Sequence, residues 1–205
     1  MSDTNNLPLP DQQEGAEKNI ESTIETASDK EAAALFQYAR TRLLDVNKWQ
    51  QWAGKLSAKF ELMDSKGNPV ESPVKVGHYF KIDIPGPGSS AGEGYDWVKV
   101  EEITEDANKA EDTEYILIRV RPSDNPSTSE ENVAHFFSEK STSNFVVKRD
   151  KKIVTTAVYG RNEVPNTATG NSLDKVRNAV IGISAVAGVS NAQWKSLVEG
   201  LLKKD

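Results

Sequence analysis

KVGHYFKIDIPGPGSSAGEGYDWVKVEEI, residues 75–103, reads as two extended segments joined by a loop that can belong to neither. From Gly77 onward, His78, Phe80, Ile82 and Ile84 fall on one side of an extended chain and Tyr79, Lys81 and Asp83 on the other. That is the two-residue period of a half-buried strand. Residues 95–103 repeat it, with Val98 and Val100 opposed to Trp97, Lys99 and Glu101. Between the two, Pro85-Gly86-Pro87-Gly88 interrupts any ladder, because proline lacks the N–H donor and glycine is entropically costly inside an element. Gly86-x-Gly88, with Gly92 and Gly94, has the composition of a phosphate loop, but a phosphate-cradling loop leads from a strand into a helix. This one leads into another strand, so it reads as a hairpin connection and a lid over a cavity.

Upstream, Ser28-Asp29-Lys30-Glu31 has the form of a capping box. The helix it opens carries an apolar stripe through Leu35, Phe36, Ala39, Leu43, Val46, Trp49 and Trp52, with Gly54 placed to stop it. Near Asp45-Val46-Asn47 a break is expected, where Asp or Asn caps a second short helix. Residues 1–27 are polar and acidic and read as a disordered tail, with Ile20, Ile24 and Ala27 at the spacing of a short docking helix. Residues 28–205 then form one α+β domain.

Downstream, residues 58–63 alternate and end in the turn signal Asp64-Ser65-Lys66-Gly67-Asn68-Pro69. After the central hairpin comes an acidic loop at 106–112. Residues 113–121 place Ile116, Ile118 and Val120 opposite Tyr115, Leu117, Arg119 and Arg121. Residues 129–137 read as one or two helical turns, and 144–148 with 152–159 as a further hairpin. A long small-sided helix at 176–189, with Ala179 and Ile183 on its apolar face, is followed by a capping box at Ser190 and a last helix through Trp194, Leu197, Val198, Leu201 and Leu202.

Composition narrows the function. With 31 acidic against 25 basic residues the net charge is -6, which argues against nucleic acid as a partner. The absence of cysteine excludes disulfides, a thiolate nucleophile and thiolate metal sites. Two histidines leave little for metal chemistry, and no motif for a cofactor occurs, so none is expected. Nothing reaches the roughly 20 apolar residues of a membrane helix, and the N-terminus lacks the pattern of a secretory signal; a cytoplasmic protein is the default. His78 reads as a half-buried strand histidine, while His135, between Ala134 and Phe136, points toward a pocket. Arg161-Asn162-Glu163 either ties down a loop through backbone hydrogen bonds or offers an arginine fork to an anionic ligand. Trp97 shares its strand face with Lys99 and Glu101 and marks an exposed contact surface for another chain.

The order of helix pair, hairpin-connected strands and small-sided helix resembles the START-like superfamily with its helix-grip fold. Leu44-Asp45-Val46-Asn47-Lys48-Trp49-Gln50-Gln51-Trp52 looks like the W-x-x-W segment that ends the helix pair of its members, and Val76-Gly77-His78-Tyr79-Phe80 looks like their V-G-x-x-F strand. Members begin with a strand before the helix pair, whereas the stretch before Ser28 reads here as strand-poor, which would leave a sheet edge open. The expected architecture is a curved antiparallel sheet of about six strands packed on a long C-terminal helix. The resemblance implies a cavity between sheet and helix for apolar ligands. The expected function is therefore non-enzymatic binding of a small apolar or amphipathic ligand by Phe80, Ile116, Ile118, His135, Arg161, Ala179 and Ile183. The alternative is an assembly subunit that binds like or unlike protein chains, as a homo-oligomer or with a protein partner, through an open edge and Trp97.

Overall fold

A computed structural model of the chain describes residues 7–54, 58–83, 92–128, 133–166, 178–179 and 191–204. The fold is α+β, an antiparallel sheet of seven strands in the order β1-β7-β6-β5-β4-β3-β2. The strands are β1 (Ala16–Glu25), β2 (Lys59–Met63), β3 (Tyr79–Asp83), β4 (Asp96–Asn108), β5 (Thr113–Pro122), β6 (Thr142–Asp150) and β7 (Ile153–Glu163). Between β1 and β2 run α1 (Asp29–Leu44), a 3-10 turn (Val46–Lys48) and α2 (Trp49–Ala53); after the sheet comes α3 (Asn191–Leu202). Of the expected small-sided helix, residues 178 and 179 are helical and Ala179 is half-buried; Ile183 and the rest of it lie outside the described residues, as do Ile84 and the loop Pro85-Gly86-Pro87-Gly88.

The seventh strand corrects the sequence reading. Residues 16–25, expected within a polar tail with a docking helix, pair antiparallel with β7 from Ala16↔Glu163 to Glu25↔Ile153, with a bulge between Ala16 and Lys18. Ile20 and Ile24 are four apart, and that spacing satisfies a strand period of 2 as well as a helix period of 3.6. Pairing with β7 decides between them, and Ile20 joins the core at 9% exposure. A strand before the helix pair is therefore present.

The helix pair starts and stops where local chemistry requires. Ser28 Oγ accepts from the Glu31 N–H at 3.3 Å, and Glu31 Oε2 reaches back one residue past the cap, to the Ala27 N–H at 3.3 Å, a variant of the capping box. Gly54, at φ +90°, ends α2 in a conformation that side chains resist. The expected cap between the helices takes another form: α2 has no side-chain cap, and Asp45 instead forms an ion pair with Lys48 at 2.7 Å. Asn47 fastens the break to the sheet, its Oδ1 accepting from the Leu62 N–H at 2.8 Å and its Nδ2 donating to the Val70 carbonyl at 2.8 Å.

Helices α1, α2 and α3 cover one face of the sheet, here called inner, and meet the sheet mainly at β6 and β7, at β2, and at β1 and β7 respectively. Helices α2 and α3 also meet closely. A Cβ at Gly200 would lie 2.3 Å from the Trp52 carbonyl oxygen, so this crossing requires glycine. The expected acidic loop is shorter than the sequence suggested, because β4 runs on to Asn108. Residues 133–137 are not helical; they lie along the outer face, where the Ala134 carbonyl accepts from the Trp97 N–H at 2.7 Å.

Candidate functional site

The pleat sorts the candidate residues onto two faces. Phe80, Ile116 and Ile118 belong to the inner cluster with Leu35, Phe36, Trp49 and Leu201. Trp49 sits at the centre of this cluster, its ring 5.3 Å from Phe60, 5.6 Å from Phe80 and 4.7 Å from Phe145. From Phe80 and Ile82 through Val100 to Ile116, Ile118 and Val120, the inner face of β3, β4 and β5 is apolar. Charged residues border this strip at Asp96, buried opposite Ile82 at the start of β4, at Arg40 with Glu105 at 2.7 Å and at Arg149 with Glu114 at 2.5 Å. The strip is tightly packed: Phe80, Ile116 and Ile118 are all 0% exposed.

Arg161 and Trp97 lie on the outer side, so they cannot line one pocket with the inner three. Trp97 is not a free surface. It is 3% exposed, packed with Met63, Tyr79 and Ala134, and its Nε1 donates to the Gly92 carbonyl at 3.2 Å. The expectation of exposure assumed a solvated outer face, usual for antiparallel sheets, whereas residues 133–137 and the turn at 92–95 cover it here. His135 is also buried, its ring stacked on Phe136 with centroids 4.2 Å apart and its Nδ1 accepting from the Phe137 N–H at 2.9 Å. Its ring thus shapes the covering segment. His78 is half-buried and accepts at Nδ1 from the Lys75 N–H at 3.3 Å; burial and nearby Lys75 hold its pKa below the usual histidine value.

Arg161 resolves toward tethering. Its guanidinium donates to the Lys18 carbonyl at 3.2 Å, Asn19 Oδ1 at 2.9 Å and the Gly160 carbonyl at 2.8 Å, and pairs with Glu17 at 3.3 Å. Those contacts sew the bulge of β1 to β7 and aim the fork away from the inner face. Beside it, Lys18 and Glu163 form a buried pair at 3.6 Å, too long for a hydrogen bond. Burial raises the Glu163 carboxyl above its ordinary 4.5, against the opposing pull of Lys18 and Arg161.

A pH effect of definite sign follows. The folded state holds the Glu163 proton more tightly than the unfolded chain does, so this group's contribution is fully present below 4.5 and is lost as pH rises through the raised value. Glu163→Gln removes that titration. Urea unfolding at pH 4 to 8 should show wild-type stability falling relative to the variant as pH rises. A relative increase would refute the assignment.

An open depression of about 460 Å³ lies between β1 and the start of α3, lined by Asn19, Ile20, Glu21, Asn191, Ala192 and Lys195. Lys195 Nζ crosses it to the Glu21 carbonyl at 2.6 Å. Among the described residues, no three His, Asp or Glu side chains converge as a metal site, and no helix is long and apolar enough to cross a membrane.

No protein-family model matches the chain, and no curated protein does. Among solved structures, truncated norcoclaurine synthase from Thalictrum flavum is similar at 11% identity, with 96% of this chain and 100% of that one covered and a TM-score of 0.35. Ara h 8.0201 is similar at 14% identity, with 92% and 100% covered and a TM-score of 0.35. A START superfamily protein from Mycobacterium smegmatis shares 10% identity, with 88% and 97% covered and a TM-score of 0.30. Among the described residues the chain's own topology is a strand, a helix pair, six further strands and a C-terminal helix.

Proposed function

We propose that the protein binds a small apolar or amphipathic ligand without catalysing a reaction, and that the ligand rests on the inner face of β3, β4 and β5. One observation carries this reading. The strip from Phe80 to Val120 is apolar, while α1 and α3 take their main sheet packing on the strands beside it, β6, β7 and β1. Trp49 of α2 lies over Phe80 and Phe145, so uncovering the strip shifts α2, while α1 and α3 keep their packing on β6, β7 and β1. Because Phe80, Ile116 and Ile118 are fully closed off, entry requires an opening motion, and a ligand regains the apolar contact that opening gives up.

Native mass spectrometry, compared with the denatured mass, tests the proposal. The expected result is excess mass lost on denaturation, or 1:1 saturable uptake of 1-anilinonaphthalene-8-sulfonate with a change in tryptophan emission, since Trp49 lies against Phe80. A bare mass together with no saturable uptake would overturn it.

A second reading, assembly with an unlike protein chain, draws on the edge strand β1, beside which Ile24 and Ile153 are 39% and 42% exposed. Self-pairing along that edge is disfavoured, because Glu17, Glu21 and Glu25 repeat along one face of the strand and would meet like charges. A mass growing in multiples of 22.5 kDa with concentration would contradict that expectation.

A further inference from the structure

The outer face of β5, β6 and β7 carries a second apolar block. Leu117, Val146 and Ala157 are cross-strand partners in one row, and Tyr159 lies beside them. All four are at most 3% exposed. Packed against them are Leu7 and Leu9 of the chain's own N-terminal segment, Leu7-Pro8-Leu9-Pro10. This segment reaches the block from 111 residues away at its polar contact, where Arg119 Nη2 donates to the Pro8 carbonyl.

The backbone chemistry of the segment matches what the face offers. Pro8 and Pro10 bring no N–H to satisfy, and the Leu9 N–H closes onto the Leu7 carbonyl at 2.8 Å. The face needs to supply only apolar contact and a donor. Arg119 is fixed for that role, its Nε donating to Asn144 Oδ1 at 2.9 Å and its Nη1 to Glu102 Oε2 at 2.5 Å. Beyond Pro10 a different device holds the chain. Asn162 Oδ1 accepts from the Gln13 and Glu14 N–H groups at 2.7 and 3.1 Å, its Nδ2 donates to the Asp11 carbonyl at 3.1 Å, and its own N–H donates to Gln12 Oε1 at 2.9 Å. The clamp sits next to β1, so the segment beyond it is presented to the face at the high effective concentration of a short tether. Leu7, Leu9 and Pro10 nevertheless stay half-exposed and Pro8 exposed, so the contact itself is shallow.

We propose that the outer face of β5, β6 and β7 is a recognition groove for a short peptide that alternates apolar residues with proline, and that residues 7–10 occupy it as a tethered, displaceable ligand. The groove reads two side chains on the Leu117-Val146-Ala157 row and one carbonyl on Arg119. It is independent of the inner strip, so failure of either proposal leaves the other standing.

The test uses the full-length chain and a fluorescein-labelled synthetic peptide of residues 5–14. Leu7→Asp with Leu9→Asp releases the segment without removing chain. Fluorescence polarisation should show this variant binding the peptide at least tenfold more tightly than wild type, with Arg119→Met in the same background weakening it at least tenfold. A control peptide with both leucines changed to serine should not bind. Should the double variant fail to fold by circular dichroism, Asn162→Gly loosens the clamp instead; glycine keeps the left-handed backbone found at φ +55°. Equal binding by wild type and the released variant, no binding by either, or equal binding of the serine peptide would overturn the proposal. A wild-type dimer dissolved by the peptide would also overturn it, in favour of exchange of the segment between copies.

Discussion

Trp49→Ala lowers the unfolding free energy by about 4 kcal/mol. The side chain is 0% exposed and its ring meets Phe60, Phe80 and Phe145, so truncation removes aromatic contacts with three strands at once. It leaves a cavity enclosed by rigid strands and by α1, and such a site collapses poorly. The Nε1 donor is lost too, leaving the Leu43 carbonyl it served at 3.1 Å without that bond inside the core. For a chain of this size the midpoint of thermal unfolding should drop by roughly 8 to 16 °C. Trp49→Phe fills most of the space and gives up the hydrogen bond, so it should cost about 1 to 2 kcal/mol. Urea titrations of the two variants measure both values. A cost below about 1.5 kcal/mol for the alanine variant would mean that Trp49 fills the interior without organising it.

Trp49 also shows how far the sequence could be read. The helical stripe through Leu35, Phe36, Leu43, Val46 and Trp49 is visible because α1 is long and well capped, and the two-residue alternation of β3, β4 and β5 places Phe80, Ile116 and Ile118 on one face. What alternation does not reveal is how many faces of a sheet are covered. Lys99 and Glu101 beside Trp97 suggested solvent, but only backbone bonds between residues 97, 123 and 134 show that a returning segment lies on that side. The same limit applies to Leu117, Val146, Ala157 and Tyr159, a buried outer row whose cover comes from residues 7–10.

Strand β1 was illegible for a different reason. Its sequence, AEKNIESTIE, has few apolar residues and no β-branched run, and its register is set by β7 and by the Arg161 contacts to Lys18 and Asn19. Those are long-range facts, absent from any local window. The polar cluster Arg161-Asn162-Glu163 carried the signal, because a dense run of side-chain donors and acceptors after a strand implies backbone to be tied. It gave no indication that the backbone was the chain's own N-terminus. Mixing Arg161 with inner-face residues has the same origin: composition brings them together, and the pleat separates them.

Arg42 is the residue whose importance local sequence hid most completely, and its replacement has the second large expected effect. It lies on the stripe side of α1 at 6% exposure. Its Nη1 donates to the Gly200 carbonyl at 2.7 Å and the Lys203 carbonyl at 2.8 Å, while the guanidinium lies 4.4 Å from the Tyr38 ring and 4.8 Å from the Trp52 ring. Helix α3 ends at Leu202, so these are carbonyls that its last turn leaves without intrahelical partners, at the negative end of its dipole. Arg42 caps that end from another helix. Arg42→Met keeps the aliphatic stem and removes the charged donors, so the loss of two charge-assisted hydrogen bonds should cost about 3 kcal/mol. Tyr38→Phe, which removes only the hydroxyl donor to Lys203 at 3.2 Å, should cost about 0.5 to 1 kcal/mol. Hydrogen exchange distinguishes capping from general packing. In the Arg42→Met protein, amides of the last turn of α3 should lose protection beyond the global destabilisation, while those of β5 and β6 should fall only by that global amount. Uniform loss across all three elements would assign Arg42 to packing alone.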